Sequence, residues 1–234
     1  MKSFLILLPF LILCLGAASQ PSGRIPWNEG WTFSKDGIDR VLSVPHDWGV
    51  EGPFRQEYPG ETGKLAWWGA AKYSKVLDIS DEELKGRVYL EVDGAFSNAT
   101  VTVNGNKAGE WPYGYSSWAV DLTDHLSPGS NLVEISLNNK PESSRWYPGG
   151  GIYRNVWLRY TGKTAVAHWG SYITTGIQGN QASVRQLVTI RTNRPGQAIV
   201  KTQIIFDGHP VAESENAVQI YDGCVVSQGF AEFG

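Results

Sequence analysis

From Arg24 onward the chain is written in short stretches that alternate apolar and polar side chains, broken by Gly, Pro, Asn and Asp. Period-two alternation sends successive side chains to opposite faces of a strand, one face for a core and one for water. Trp31–Phe33, Tyr73–Leu77, Arg87–Val92, Thr100–Val103, Trp118–Leu122 and Leu132–Leu137 read as strands on this basis. Asn104-Gly105 lies between Val101–Val103 and Lys107–Trp111. It predicts a hairpin, because a tight two-residue turn needs positive φ at both central positions. No long stretch carries a clean helical period, and residues 80–86 have room for one turn at most. The pattern predicts an all-β fold, with a jelly-roll β-sandwich over residues 20–162.

After Thr161-Gly162-Lys163 the composition changes. Val166–Thr174, Val184–Asn193, Gln197–Phe206, Val211–Ile220 and Cys224–Phe233 alternate more evenly, with fewer aromatics. This spacing predicts an immunoglobulin-like β-sandwich over residues 163–234. Five candidate strands fall short of the seven of a full immunoglobulin-like sandwich, so the expected domain is incomplete.

The first residues belong to neither sandwich. Lys2, an apolar run from Phe4 to Leu15 and then Ala17-Ala18-Ser19 predict a secretory signal peptide over residues 1–19. The run is short for a membrane span. Cys14 follows Leu11-Ile12-Leu13, but Leu13 is bulky where a lipoprotein signal wants a small residue. Export to the periplasm or the medium is the expectation.

Composition narrows the partners. The formal net charge is −3, the sequence pI is about 5.8, and there is no basic run, so neither nucleic acid nor an anionic membrane is expected as a partner. Once the leader is removed only Cys224 remains, which excludes a disulfide framework and leaves burial to hold the fold. His46, His125, His168 and His209 are scattered without ligand-like spacing, so neither metal nor cofactor is expected. Ten tryptophans and ten tyrosines are a heavy aromatic load. Trp31, Trp118 and Trp157 fall at strand positions and read as core. Trp48 and Trp146, in loop sequence, are candidates for stacking on a sugar ring.

The most informative stretch is Ser143–Leu158, SSRWYPGGGIYRNVWL. Pro148 fixes its own φ, and the three glycines after it permit angles or close approaches that a Cβ would block. From Ile152 the residues alternate with both faces largely apolar, which predicts a strand inside a sandwich. Arg145, Trp146 and Tyr147 on such a loop suit a ligand-facing rim; equally, they suit a turn whose aromatics cap the core.

Arg145 to Leu158 resembles the end of the sugar-binding domain of glycoside hydrolase family 2, most closely its long bacterial β-galactosidase-like members. Two further blocks follow the family's order. Val44-Pro45-His46-Asp47-Trp48, followed by Glu51-Gly52-Pro53-Phe54, resembles an early loop. Val88–Ala95, Asn104-Gly105 and Tyr113-Gly114-Tyr115 resemble central strands and a hairpin. Lys72-Tyr73-Ser74-Lys75 departs from the Trp-Tyr-Arg-Lys run of many relatives. The resemblance implies a domain that reaches over the mouth of a (β/α)-barrel, which carries both catalytic carboxylates in the family and is not found in these residues. It therefore implies no catalytic residue here and a carbohydrate partner, the terminal β-linked sugar, with β-galactosidase ahead of β-glucuronidase and β-mannosidase.

The residues offered for substrate binding are Asp47, Trp48, Arg145 and Trp146. Asp47 can accept bonds from two sugar hydroxyls, or bond its own backbone after Pro45. Arg145 can present a planar fork to hydroxyls or to a carboxylate that orients them, or form an ion pair within its loop. Glu29, after Asn28, resembles part of the family's acid/base signature but precedes the first predicted strand, so it is not offered as catalytic. The competing expectation is a free-standing carbohydrate-binding or adhesion module.

Overall fold

The alternation translates into paired strands almost throughout. The computed structural model describes residues 22–58, 67–141, 149–192 and 194–221, together with the backbone of residues 223–233. In chain order the strands are β1 (Gly23–Pro26), β2 (Trp31–Lys35), β3 (Ile38–Leu42), β4 (Gly69–Ile79), β5 (Arg87–Val92) and β6 (Ala99–Val103). They continue with β7 (Asn106–Trp111), β8 (Trp118–Asp121), β9 (Gly129–Asn139) and β10 (Val156–Thr161). β11 (Ala165–Gln178), β12 (Gln181–Thr192), β13 (Gly196–Phe206), β14 (His209–Ile220) and β15 (Gly223–Phe233) complete the set. A single four-residue helix, α1 (Trp48–Glu51), interrupts the strands of the described residues. Residues 80–86 supply only a 3₁₀ turn at Glu83–Lys85.

Two antiparallel sheets face one another in the first sandwich, a four-stranded one ordered β1-β10-β5-β8 and a six-stranded one ordered β3-β2-β4-β9-β6-β7. Non-consecutive neighbours in both sheets are the jelly-roll signature the pattern predicted. Register follows burial. In β5, Val88, Leu90 and Val92 point inward, and β10 answers with Val156, Leu158 and Tyr160. The opposite sheet contributes Trp31 and Phe33 from β2, Tyr73 and Leu77 from β4, and Val133, Ile135 and Leu137 from β9. Each fully buried large side chain contributes about 1.5–3 kcal/mol relative to exposure, which makes this interleaved layer the main source of stability. A one-residue slip in any of these strands would turn its apolar set to water.

The predicted hairpin is present. Asn104 and Gly105 both have positive φ, 50° and 81°, and join β6 to β7. The strand expected from Ile152 starts later, at Val156, and is apolar on one face only, with Trp157 and Arg159 half-buried on the other. Residues 149–152 instead form a strap, because their backbone groups bond across to two different loops. Sequence reading also passed over β1 and β3. Both are largely exposed edge strands, so neither carries the buried face that announces a strand.

The second sandwich pairs a three-stranded sheet, β11-β12-β15, with a two-stranded sheet, β13-β14. Its strands are longer than the predicted ones, reaching residues 165–178 in β11. The predicted leader at residues 1–19, with Cys14, and the Cys224 side chain lie outside the described residues.

Candidate functional site

Of the three glycines of the Ser143–Leu158 stretch, Gly150 and Gly151 are required by contact and Gly149 and Gly151 by angle. Gly149 and Gly151 have φ of 80° and 132°, in or near the left-handed region that other residues avoid. A Cβ on Gly151 would lie 2.4 Å from the His46 carbonyl oxygen and 2.7 Å from the Tyr73 hydroxyl. One on Gly150 would lie 2.8 Å from the Trp48 indole nitrogen. The strap therefore lies against His46–Trp48 with no room for a side chain.

Hydrogen bonds fix it there. His46 N–H donates to the Ile152 carbonyl at 2.7 Å, and Trp48 N–H donates to the Gly150 carbonyl at 2.7 Å. On the opposite edge Phe96 N–H donates to Gly151 O at 2.9 Å, and Gly151 N–H returns a bond to Phe96 O at 3.2 Å. Asn139, almost fully buried, donates its Nδ2 to the Gly149 carbonyl at 2.6 Å.

Asp47 joins the two loops. Its Oδ1 accepts from Gly49 N–H at 2.9 Å, which caps α1, and from Gly150 N–H at 2.9 Å. Of the two roles sequence left open, the backbone-bonding one is present in the structure. It reaches further than a local turn, because the second donor lies 103 residues away. Trp48 is fully buried, packs against Phe33 and donates Nε1 to the Trp67 carbonyl at 2.8 Å. With no exposed ring face it has nothing to stack on a sugar, so the expectation of a stacking platform there is corrected to one of a wall. Its position directly after the cap residue turns the indole into the interior. Arg145 and Trp146, with Tyr147 and Pro148, lie outside the described residues, as does the middle of the loop Gly49–Gly69.

Behind the strap is a polar cluster that sequence reasoning missed. His46 Nδ1 lies 2.6 Å from the Tyr73 hydroxyl, and its Nε2 lies 3.1 Å from Glu51 Oε1 and 3.0 Å from Arg40 Nη2. Arg40 also pairs with Glu51. Burial pushes the His46 imidazolium toward its neutral form, against the pull of Glu51. Burial likewise drives the Tyr73 hydroxyl well above its ordinary range, so it acts as a hydrogen-bonding alcohol and never as a phenolate. Lys35 is the other surprise. It occupies an inward position of β2, donates to the Trp68 carbonyl at 2.7 Å, and sits 4.7 Å from the Trp67 ring centre. Burial lowers its pKa, and the adjacent Asp36 opposes that shift. A lysine in the inward phase of an otherwise apolar alternation was the available signal. Among the described residues, no group of three or more His, Cys, Asp or Glu side chains is placed to hold a metal.

Two antiparallel sheets in this strand order define the class as a jelly-roll β-sandwich, an architecture shared by lectin and capsid domains. The comparisons sharpen that class. The family profile described as "Glycosyl hydrolase 2 galactose-binding domain-like" matches residues 55–148. Beta-galactosidase BoGH2A of Bacteroides ovatus is 37% identical over 199 residues, covering 76% of this chain and 23% of its own. A putative beta-glucuronidase of Formosa agariphila is 36% identical over 132 residues, covering 54% of this chain and 13% of its own. A crystal structure of a glycosyl hydrolase family 2 member from Bacteroides cellulosilyticus superposes with a TM-score of 0.80 at 25% identity, covering 89% of this chain and 30% of that one. The chain thus carries the galactose-binding-like N-terminal domain of glycoside hydrolase family 2. It spans about a quarter of the length of the β-galactosidase relative, 23%.

Proposed function

We propose that these residues form the sugar-binding end of an exported, β-galactosidase-like family 2 glycosidase, with the hydrolytic carboxylates supplied elsewhere in a longer polypeptide. In this reading residues 1–19 direct export, residues 20–162 form the sugar-binding jelly roll, and residues 163–234 belong to the immunoglobulin-like module. The observation that carries it is the Asp47 carboxylate holding Gly49 and Gly150 together. It ties Gly150, which follows Arg145 and Trp146 by a few residues in the sequence, to the cap of α1. Rigid mounting matters because a contact to a terminal sugar accelerates hydrolysis only if it does not have to be ordered first.

The acidic groups of the described residues support a binding rather than a hydrolytic role. Retaining glycosidases need two carboxyl groups about 5 Å apart, one of them protonated. Here Glu91 is buried among cations, Glu51 is paired with Arg40 and His46, and Asp47 accepts backbone N–H groups. Glu29 accepts from Ser43 at the surface. The galactoside reading takes its support from the Bacteroides ovatus relative; other relatives carry the name beta-glucuronidase.

The 234-residue chain is expected to show no turnover of 4-nitrophenyl β-galactoside or β-glucuronide above blank. Persistent turnover abolished by Glu29→Gln would overturn the reading. In the full-length polypeptide, Arg145→Ala removes a charge-assisted hydrogen bond of about 1.5–3 kcal/mol, so kcat/KM on β-galactosides falls about ten- to a hundredfold at unchanged melting temperature. Arg145→Lys recovers only part, because a point charge does not reproduce the planar fork. A lowered melting temperature with kcat/KM intact assigns Arg145 to loop structure instead.

A further inference from the structure

Away from the strap, the outer face of the four-stranded sheet meets the beginning of β11 around a cleft of about 390 Å³. That volume lies within the range of about 300–1,000 Å³ usual for small-molecule sites. The cleft shares no residue with the Asp47–Gly150 assembly. Trp111 at the end of β7 and Trp169 in β11 both line it, 38% and 77% exposed. Between them lie Ser116, Asp121, His168 and Arg191.

We propose that this cleft is a second saccharide-binding site, separate from the one that faces the terminal sugar of the substrate. Three features carry the proposal. Trp169 is the first. It stands in a bulge, where the register of β11 on β12 shifts between Val166 and Ser171, and its φ is 57°. A bulky residue in the left-handed region is rare, and one that is also mostly exposed gains little from burial to offset that backbone. Gly170 makes the bulge possible, since a Cβ there would lie 2.8 Å from the Thr189 carbonyl and 2.9 Å from that of Ala167.

His168 is the second. Its Nδ1 lies 2.9 Å from Glu91 Oε1, and Glu91 is 3% exposed and further held by Arg24 Nε at 2.8 Å and Arg159 Nε at 2.7 Å. A buried carboxylate at Nδ1 fixes the ring and its tautomer, as a second partner does for many functional histidines. Its Nε2 is shielded from water, so the ring serves as a fixed support beside Trp169, 5.8 Å between ring centres, rather than as a direct sugar contact. The third is the mixture of groups. Asp121 is oriented by Arg87 at 2.6 Å and by Thr123, and Trp111 Nε1 donates to Ser116 at 3.2 Å.

Indole faces suit the C–H face of a pyranose, while carboxylate, hydroxyl and guanidinium together match hydroxyls that both donate and accept. A groove for an apolar peptide would instead be walled by aliphatic side chains, whereas this lining is aromatic and polar, with Tyr89 and Trp118 beside the other two tryptophans and Ala119 its one aliphatic side chain among the described residues.

The test uses the 234-residue chain with methyl β-galactoside, methyl β-glucuronide, methyl β-mannoside and their 1,4-linked disaccharides, read by saturation-transfer NMR and tryptophan fluorescence. At least one of these saccharides is expected to bind saturably. Trp169→Ala should weaken that binding at least tenfold with an unchanged melting temperature, and His168→Gln should weaken it by a smaller factor. Arg145→Ala should leave it within twofold, which separates this cleft from the site under Proposed function. Absence of saturable binding by every probe overturns the proposal. So does binding lost in Arg145→Ala but kept in Trp169→Ala. Unchanged sugar affinity in Trp169→Ala, coupled to loss of self-association, assigns the cleft to protein contact instead.

Discussion

The two sandwiches differ in strand order but are both built of antiparallel sheets with one sequence rhythm, yet they bury their apolar faces to different depths. In the first, Trp31, Phe33, Trp48 and Tyr73 are inaccessible to water and reach across the gap between sheets. In the second, the buried hydrophobic cluster of the described residues is Val188, Ile190 and Ile220, with Ala198, Val200 and Val218 packed against it. Ile173, Ile177, Ile199 and Ile205 are all more than half exposed. Sheets pack about 10 Å apart, and large rings fill that space where short β-branched side chains leave it open. Alternation alone therefore makes strands without fixing how deeply two sheets bury one another. The regions are joined by charge. Glu91 of β5 takes His168 of β11 together with Arg24 and Arg159.

If this contrast holds, thermal unfolding followed by near-ultraviolet circular dichroism shows two events, the lower one belonging to residues 163–234. A single cooperative transition would break the comparison. The largest expected effect is Gly151→Ala. Its Cβ meets a backbone oxygen at 2.4 Å and its φ is unfavourable, so the upper transition should lose about 4 kcal/mol or more, with the lower one nearly unmoved. A loss smaller than about 1 kcal/mol would show that the strap gives way easily.

Glu91→Ala comes next. Removing a buried carboxylate leaves Arg24, Arg159 and His168 facing one another, at a cost of about 3–5 kcal/mol. Because the carboxylate touches both regions, both transitions should fall and draw apart, measurable in the same melt. A shift confined to one of them would deny the coupling.

Asp47→Ala should cost the upper transition about 1–3 kcal/mol, through loss of the α1 cap and the tie to Gly150. Asp47→Asn should recover most of it, since its amide oxygen can accept the same two N–H groups; failure to recover would show that the charge itself is needed.

The smallest effect is that of pH. Burial holds the His46 pKa below its ordinary value, so below about pH 6.5 the unfolded chain binds a proton that the folded chain resists. The upper transition should therefore weaken as pH falls from about 7 toward 5. Glu51 adds a loss at lower pH, because Arg40 and His46 bring it below its usual value despite burial, which pushes it up. His46→Gln should flatten the first part of the profile. An unchanged slope in that variant would remove His46 as its cause.

Sequence by itself determined the fold class, most strands, the Asn104-Gly105 turn and the need for glycine before Ile152, because each follows from period-two burial or from a local dihedral. It singled out Asp47, but left two roles open. Tertiary structure chose between them by bringing Gly150 to a side chain far away in the chain. The burial of Trp48, the His46–Tyr73–Glu51–Arg40 cluster, the inward Lys35 and the cleft beneath Trp169 were not legible for the same reason. Each depends on which strands become neighbours across the two sheets, and residue spacing carries no record of distances between segments that meet only when the chain is folded.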